Sequence, residues 1–162
     1  EMCIRDRNKL EKNNLTGALI DAHNRPRPHL LEGQWLARQP AVHAMMDISD
    51  GIDSDLRHIL KKSAVSAFID LENVPLTSLL LQAKEQLGIN PINTALTAGE
   101  DYALLLTVAA DNYKHLSEQF KTEFGRELYR IGEIISGEGD VHYRLSGEKT
   151  LLNETGFDHF RY

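Results

Sequence analysis

Hydrophobic and polar positions along this chain follow two periods, and together they predict a mixed succession of helices and strands. Ile52, Leu56, Ile59 and Leu60 have helical spacing, so a helix is predicted over 52–63, and the alternation over 65–70 predicts a strand. Further helices are predicted over 9–22, 30–39, 77–87 and 111–124, and Asp111 is expected to cap the last of them. Further strands are predicted over the residues that end at Met46 and over 97–108, 128–135, 141–145 and 149–152.

This order favours one layered domain of the α/β or α+β type, with a mixed sheet and flanking helices. The chain has 162 residues, which is enough for one domain with a real core. Residues 1–7 have no clear hydrophobic pattern, and the chain opens with Glu1 instead of Met. We therefore expect a non-native or linker start over 1–14, a domain over 15–162, and a missing N-terminal part.

Composition narrows the classes of function. The net charge is −6, which argues against nucleic-acid binding because that binding depends on neutralising phosphates. No hydrophobic run approaches the length of a membrane span, and no signal peptide is visible, so a cytoplasmic location is expected. The single cysteine, Cys3, excludes an internal disulfide and a thiolate metal cage.

The turn between the first strand and the clearest helix concentrates polar chemistry. Asp47 and Ser49 are two residues apart and would point to one side of an extended backbone, and Asp50 precedes the helix and could cap it. Two neighbouring carboxylates suit a hard cation such as Mg²⁺, and Ser49 with the helix start could hold a phosphate oxygen. The alternative is an ordinary capped turn, with Asp50 as the cap and Asp47 solvated.

A second acidic stretch opens the predicted strand over 97–108. Gly99, Glu100 and Asp101 stand at the start of a nearly continuous hydrophobic run. Buried strands rarely begin with two adjacent acids unless those acids face a site or solvent. Both interpretations remain open on this stretch alone.

Three stretches in order resemble the C-terminal half of the thiamine-monophosphate kinase family. They are residues 46–51 (MDISDG), 96–102 (LTAGEDY) and 156–160 (GFDHF). The resemblance implies the C-terminal α/β domain of the superfamily that includes aminoimidazole-ribonucleotide synthetase. It also implies a full-length homodimer that forms through an N-terminal domain. The chain carries Ala98 and Ala103 where the family commonly has Gly and Glu, and Ala98 adds a methyl group where the backbone is expected to need freedom.

The resemblance further implies an activity and a role for each matching residue. The activity is Mg²⁺-dependent, direct in-line transfer from ATP to thiamine monophosphate, which forms thiamine diphosphate. Asp47 and Asp50 would bind metal, Ser49 would contact ATP, and Glu100 and Phe157 would contact the substrate. No residue is assigned as a catalytic acid or base. Asp101 is expected to support the residues that contact the ligands without contacting a ligand itself.

Two other hypotheses remain beside this one. The chain could belong to a related ATP-dependent enzyme with another substrate, or it could be a non-catalytic domain that retains the fold. Under the kinase hypothesis, the 162 residues alone are expected to be inactive because the other half of the site is missing.

Overall fold

The computed structural model describes residues 13–152, and residues 1–12 and 153–162 lie outside the described range. Within that range, helices and strands are interspersed, as expected for a layered domain. The helices are α1 (Asn14–Asn24), α2 (Leu30–Leu36), α3 (Ile52–Ser63), α4 (Ser78–Leu87), α5 (Pro91–Thr97) and α6 (Tyr113–Phe124). The strands are β1 (Val42–Asp47), β2 (Val65–Asp70), β3 (Leu104–Val108), β4 (Gly132–Ser136), β5 (Val141–Leu145) and β6 (Glu148–Thr150).

The strands form two separate sheets. β1 and β3 make an antiparallel pair in which Asp47 lies opposite Leu104. The other sheet has the order β4-β2-β5-β6, with β2 and β5 parallel and the remaining pairs antiparallel. The predicted mixed sheet with flanking helices is therefore confirmed, as an α+β layered domain.

Helix α3 lies between the two sheets and contacts strands of both. Its hydrophobic stripe includes Leu56 and Leu60, which are buried in the main core. The same core takes Ile48 and Leu105 from the strand pair and its adjoining loop and Tyr143 from β5. Because one stripe packs on two sheets, the helix fixes the β1–β3 pair relative to the rest of the domain.

A second, smaller core covers the other face of the strand pair. Leu36 of α2 packs with Leu116 and Phe120 of α6, and Trp35 meets Phe120 edge-on at a ring-centroid distance of 6.0 Å. Residues of the strand pair that pack against this cluster include Met45, Leu104 and Leu106. The pair is thus covered on both faces, which explains why β3 is hydrophobic nearly throughout instead of alternating.

The structure differs from the predicted elements at several places, and β4, for example, begins only at Gly132 and not at residue 128. Helix α5 was not predicted, although the Asn90 side chain accepts hydrogen bonds from the backbone N–H groups of Ile92 and Asn93 and Pro91 occupies its first turn. The strand predicted from residue 97 begins only at Leu104, because the preceding residues form the end of helix α5 and a loop. Asp111 lies in a 3₁₀ turn, and Asn112 occupies the cap position of α6 without a side-chain cap.

No helix between residues 13 and 152 is both long and hydrophobic enough to cross a membrane. The longest in that range, α3 and α6, have 12 residues each. The predicted boundary at residue 14 stays a prediction, because residues 1–12 lie outside the described range.

Candidate functional site

Both acidic stretches lie at the same end of the β1–β3 pair, and backbone hydrogen bonds join them. We call residues 47–51 the first acidic loop and residues 99–103 the second acidic loop. The N–H of Ile48 donates to the oxygen of Ala103 at 2.8 Å, and the N–H of Tyr102 donates to the oxygen of Ile48 at 3.0 Å. The N–H of Glu100 donates to the oxygen of Ser49 at 2.9 Å. The ladder of the strand pair therefore continues into the two loops and holds them side by side.

Gly99 permits this close approach, and Gly51 permits a similar one between the first acidic loop and the end of α5. A Cβ atom on Gly99 would lie 2.0 Å from the backbone oxygen of Ser49, so no side chain fits there. Gly51 has a φ of +99°, and a Cβ on it would lie 2.8 Å from the backbone oxygen of Leu96. Ala98 has an ordinary φ of −81°, so the expected positive φ at this position was wrong, and the tight contact found in this loop is at Gly99.

Asp55 of helix α3, which lies outside the three sequence motifs, holds the backbone of the first acidic loop. Oδ2 of Asp55 accepts hydrogen bonds from the backbone N–H of Ser49 at 2.9 Å and of Asp50 at 3.0 Å. The predicted cap by Asp50 was wrong: Gly51 occupies the cap position of α3, and no side chain caps it. A signal for Asp55 existed, because it lies on the hydrophobic stripe of α3, three residues after Ile52, where an acid needs a partner.

A second buried acid in the same helical turn faces β5. The Asp53 carboxylate receives two hydrogen bonds from Arg57, at 3.2 and 3.0 Å, and a third from the Tyr143 hydroxyl. Desolvation, with help from the Asp53 charge, raises the pKa of Tyr143 well above its usual range. This cluster ties α3 to the four-stranded sheet and does not involve either acidic loop.

The residues predicted to bind ligands differ in accessibility. Asp47 and Glu100 are exposed, whereas Ser49 and Asp50 are half-buried. Within residues 13–152, no side chain donates a hydrogen bond or forms an ion pair with the Asp47 carboxylate. That carboxylate is therefore available on the surface of the strand end.

The second acidic loop has a strained backbone. Glu100 has a φ of +68° and Tyr102 a φ of +52°, which non-glycine residues adopt at a cost of about 1–3 kcal/mol each. Nε2 of His23, at the end of α1, lies 3.2 Å from Oε2 of Glu100. Desolvation raises the pKa of the neighbouring Asp101 even though the residue is exposed, and the nearby His23 opposes that shift. The strain is retained because the backbone ladder to the first loop fixes both residues.

The described residues do not complete a metal site by themselves. Two cavities, of about 590 and 200 Å³, lie elsewhere on the domain and are lined by no residue of either loop. No group of three His, Cys, Asp or Glu side chains within residues 13–152 is arranged to hold a metal ion. The structure thus brings Asp47, Ser49, Asp50 and Glu100 to one end of the strand pair, whereas Phe157 lies outside the described residues.

The fold and the joined loops define a layered α+β domain that presents acids at the end of a strand pair. The chain belongs to the family described as AIR synthase related protein, C-terminal domain, whose model matches residues 4–144. This match confirms the superfamily that the three motifs predicted.

Individual proteins similar to this chain carry more specific names than the family model does. A thiamine-monophosphate kinase of Buchnera aphidicola subsp. Schizaphis graminum is 36% identical over 143 residues, which cover 88% of this chain and 42% of that protein. A solved structure named "AaThiL complexed with AMPPCP and TMP" has a TM-score of 0.71 and 32% identity, and the match covers 93% of this chain and 43% of that one.

A thiamine-monophosphate kinase structure from Stenotrophomonas maltophilia K279a gives a TM-score of 0.68 and 31% identity, with 87% of this chain and 42% of that one covered. The chain spans less than half the length of the curated relatives it matches.

Proposed function

We propose that this chain is the C-terminal part of a kinase that transfers the γ-phosphoryl group of ATP to thiamine monophosphate, forming thiamine diphosphate. The observation that carries the proposal is the backbone ladder between the two acidic loops, because it places the two predicted ligand-binding stretches together. The relatives support the choice of substrate, since several are named thiamine-monophosphate kinase and one related structure is named as a complex with AMPPCP and TMP.

The donor atoms at the first acidic loop suit magnesium. Mg²⁺ prefers oxygen ligands and is usually bound by one or two carboxylates together with waters and substrate phosphates. Asp47 and Asp50 supply two carboxylates from one short turn, and Asp47 is exposed. In this proposal, Asp47 and Asp50 hold Mg²⁺, which when bound offsets the repulsion between two phosphorylated molecules. The remaining ligands come from residues outside the described range or from the other half of the protein.

The other assigned residues bind and orient the two substrates. The Ser49 hydroxyl contacts a phosphate oxygen of ATP, and Glu100 lies toward thiamine monophosphate in the adjoining loop. Phe157 covers the rings of the cationic heterocycle, where stacking on an aromatic side chain is favourable. The His23 ring beside Glu100 holds that carboxylate in place until substrate arrives.

No side chain is assigned as a general acid or base, and the chemistry explains why none is needed. The acceptor is a phosphate monoester, whose second ionisation has a pKa of about 6, so it is largely deprotonated at neutral pH. Its oxygen attacks the γ-phosphorus of ATP directly, and the bond to the departing ADP oxygen breaks in line. Catalysis then depends on alignment and charge neutralisation.

The proposal includes a second half of the protein. The relatives named thiamine-monophosphate kinase are more than twice as long as the part that this chain matches, so we propose that the rest of the protein closes the site around ATP and thiamine monophosphate. We therefore expect the complete protein to act in the cytoplasm as a homodimer through its N-terminal domain, and the 162-residue chain alone to be inactive.

The test compares the complete protein with the 162-residue chain in an assay for thiamine diphosphate. We expect product from ATP and thiamine monophosphate with the complete protein and none with the chain alone. Turnover of another phosphate acceptor in place of thiamine monophosphate would identify a related enzyme instead. Absence of ATP turnover with every acceptor would identify a non-catalytic domain, and product formed by the chain alone would refute the need for a second half.

A further inference from the structure

Asp55 lies directly behind the backbone of the first acidic loop. The residue is only 1% exposed, and a single oxygen, Oδ2, accepts the backbone N–H groups of Ser49 and Asp50. These are two donors that a strand-to-helix turn would ordinarily offer to a phosphate. Both donors are therefore already used by a carboxylate inside the protein.

A second anion cannot use the same donors. Each N–H points at Asp55, and the negative charge of a buried carboxylate directly behind the loop repels a phosphate that approaches those amides. What the loop still offers on its accessible side are the Ser49 hydroxyl and the exposed side chain of Asp47. The hydroxyl can donate a hydrogen bond to a phosphate oxygen, and a carboxylate suits a divalent cation.

We propose that Asp55 is a positioning residue: it holds the first acidic loop so that Ser49 meets a phosphate through its hydroxyl group and not through its backbone amide. This inference rests on the proposed kinase function for the identity of the phosphate, which is that of ATP. The orientation of the loop does not depend on that function, so the two can fail separately.

The same helical turn provides a matched control. Asp53 is also a buried acid, 4% exposed, but its partners are Arg57 and Tyr143 on the side of the four-stranded sheet. Replacing Asp53 removes a buried carboxylate from α3 without touching either acidic loop. If Asp55 only stabilised the fold, replacing Asp55 and replacing Asp53 would have the same effect on the first acidic loop and on the kinetics, and the two variants would differ only in stability.

The first experiment reads the two hydrogen bonds directly by nuclear magnetic resonance of the 162-residue chain. We expect a scalar coupling across the hydrogen bond between the amide nitrogens of Ser49 and Asp50 and the carboxyl carbon of Asp55. Asp55→Ala should move both amide proton signals upfield and accelerate their exchange, and Asp53→Asn should leave them in place. Because the coupling is measured in the unmodified chain, a variant that fails to fold does not remove the test.

Absence of this coupling would overturn the inference. Equal movement of both amide signals in Asp53→Asn and Asp55→Ala would overturn it as well, because the effect would then not be specific to the acid beneath the loop.

The second experiment measures kinetics in the complete protein. Ser49→Ala should raise the KM for ATP roughly 10-fold or more, because a hydrogen bond to a charged group changes binding by about that factor, and Ser49→Thr should restore it by returning the hydroxyl. Asp55→Ala should raise the same KM while Asp53→Asn does not, and Asp55→Asn should be intermediate because a neutral oxygen can still accept both N–H groups.

An unchanged KM for ATP in Ser49→Ala would overturn the assignment of the hydroxyl. A complete protein without kinase activity would overturn the proposed function instead, and the coupling in the chain would then still report whether Asp55 holds the loop.

Discussion

Replacing Gly99 by alanine tests whether close approach of the two acidic loops organises the site. The new Cβ would lie 2.0 Å from the oxygen and 2.9 Å from the carbonyl carbon of Ser49, and 3.0 Å from the Cα of Asp50. All three are backbone atoms, so no side chain can swing away, and the loops must separate. Separation also breaks the hydrogen bond from the Glu100 N–H to the Ser49 oxygen.

The size of the effect follows from these two losses. Overpacking of this kind costs about 1–3 kcal/mol, and a lost backbone hydrogen bond adds about 1 kcal/mol, so the free energy of unfolding should fall by roughly 2–4 kcal/mol. For a domain of this size, that corresponds to a decrease in Tm of roughly 5–15 °C.

The assay is thermal unfolding followed by circular dichroism, with Gly17→Ala as the matched control. Gly17 lies within α1, and a Cβ atom added to it would meet no other atom within 4 Å, so alanine there should stabilise the helix by about 0.5–1 kcal/mol. If Gly99→Ala unfolds at the same temperature as the wild type, or changes in the same direction as Gly17→Ala, the reasoning is refuted.

Three further predictions concern stability and are measured by urea unfolding. Tyr143→Phe should lower the free energy of unfolding by about 1.5–3 kcal/mol, because it removes a hydrogen bond to the buried Asp53 carboxylate; an unchanged value would contradict the role of that bond. Leu60→Ala should cost about 2–5 kcal/mol, since the side chain is fully buried between the sheets, and a cost like that of a surface substitution would contradict the layered core. The pKa of Glu32 lies below the ordinary 4.5. Desolvation alone would raise this pKa, but hydrogen bonds from the Glu32 backbone and from Arg126 outweigh it. The stabilisation is therefore full above about pH 4.5 and lost as pH falls through the lowered pKa, so Glu32→Gln should differ from wild type at neutral pH and converge with it in acid. A difference that persists in acid would contradict this assignment.

Local sequence patterns were enough to predict many of the helices and strands. The bounds of α3 and β2 agree with the predicted ranges, because the hydrophobic spacing of Ile52 to Leu60 is strong and the next strand follows directly. Helix α5 has ordinary start signals at Asn90 and Pro91, and it was missed because the hydrophobic run after it suggested one long strand.

The two acidic stretches could be picked out from the sequence, but their arrangement in space could not. Asp47 and Glu100 are far apart in the sequence, and only the antiparallel pairing of β1 and β3 brings their loops together. The positive φ values of Glu100 and Tyr102 also arise from that pairing, since neither residue favours such a backbone by itself.

The role of Asp55 depends on packing. Its place on the hydrophobic stripe of α3 indicates that the acid needs a partner, but only the packing beneath the first acidic loop shows that the partners are the backbone N–H groups of Ser49 and Asp50.

The most direct test of the central claim is the kcat for thiamine diphosphate formation by the complete protein carrying Asp47→Asn. Asp111→Asn is the control, because it removes the same charge in the turn at the other end of β3. The account predicts a loss of at least ~10-fold for Asp47→Asn, since even residues that only orient metal ligands contribute that much, and no loss for Asp111→Asn. Equal activity in the two variants would contradict the claim that the acidic loops bind the metal and the reacting phosphates.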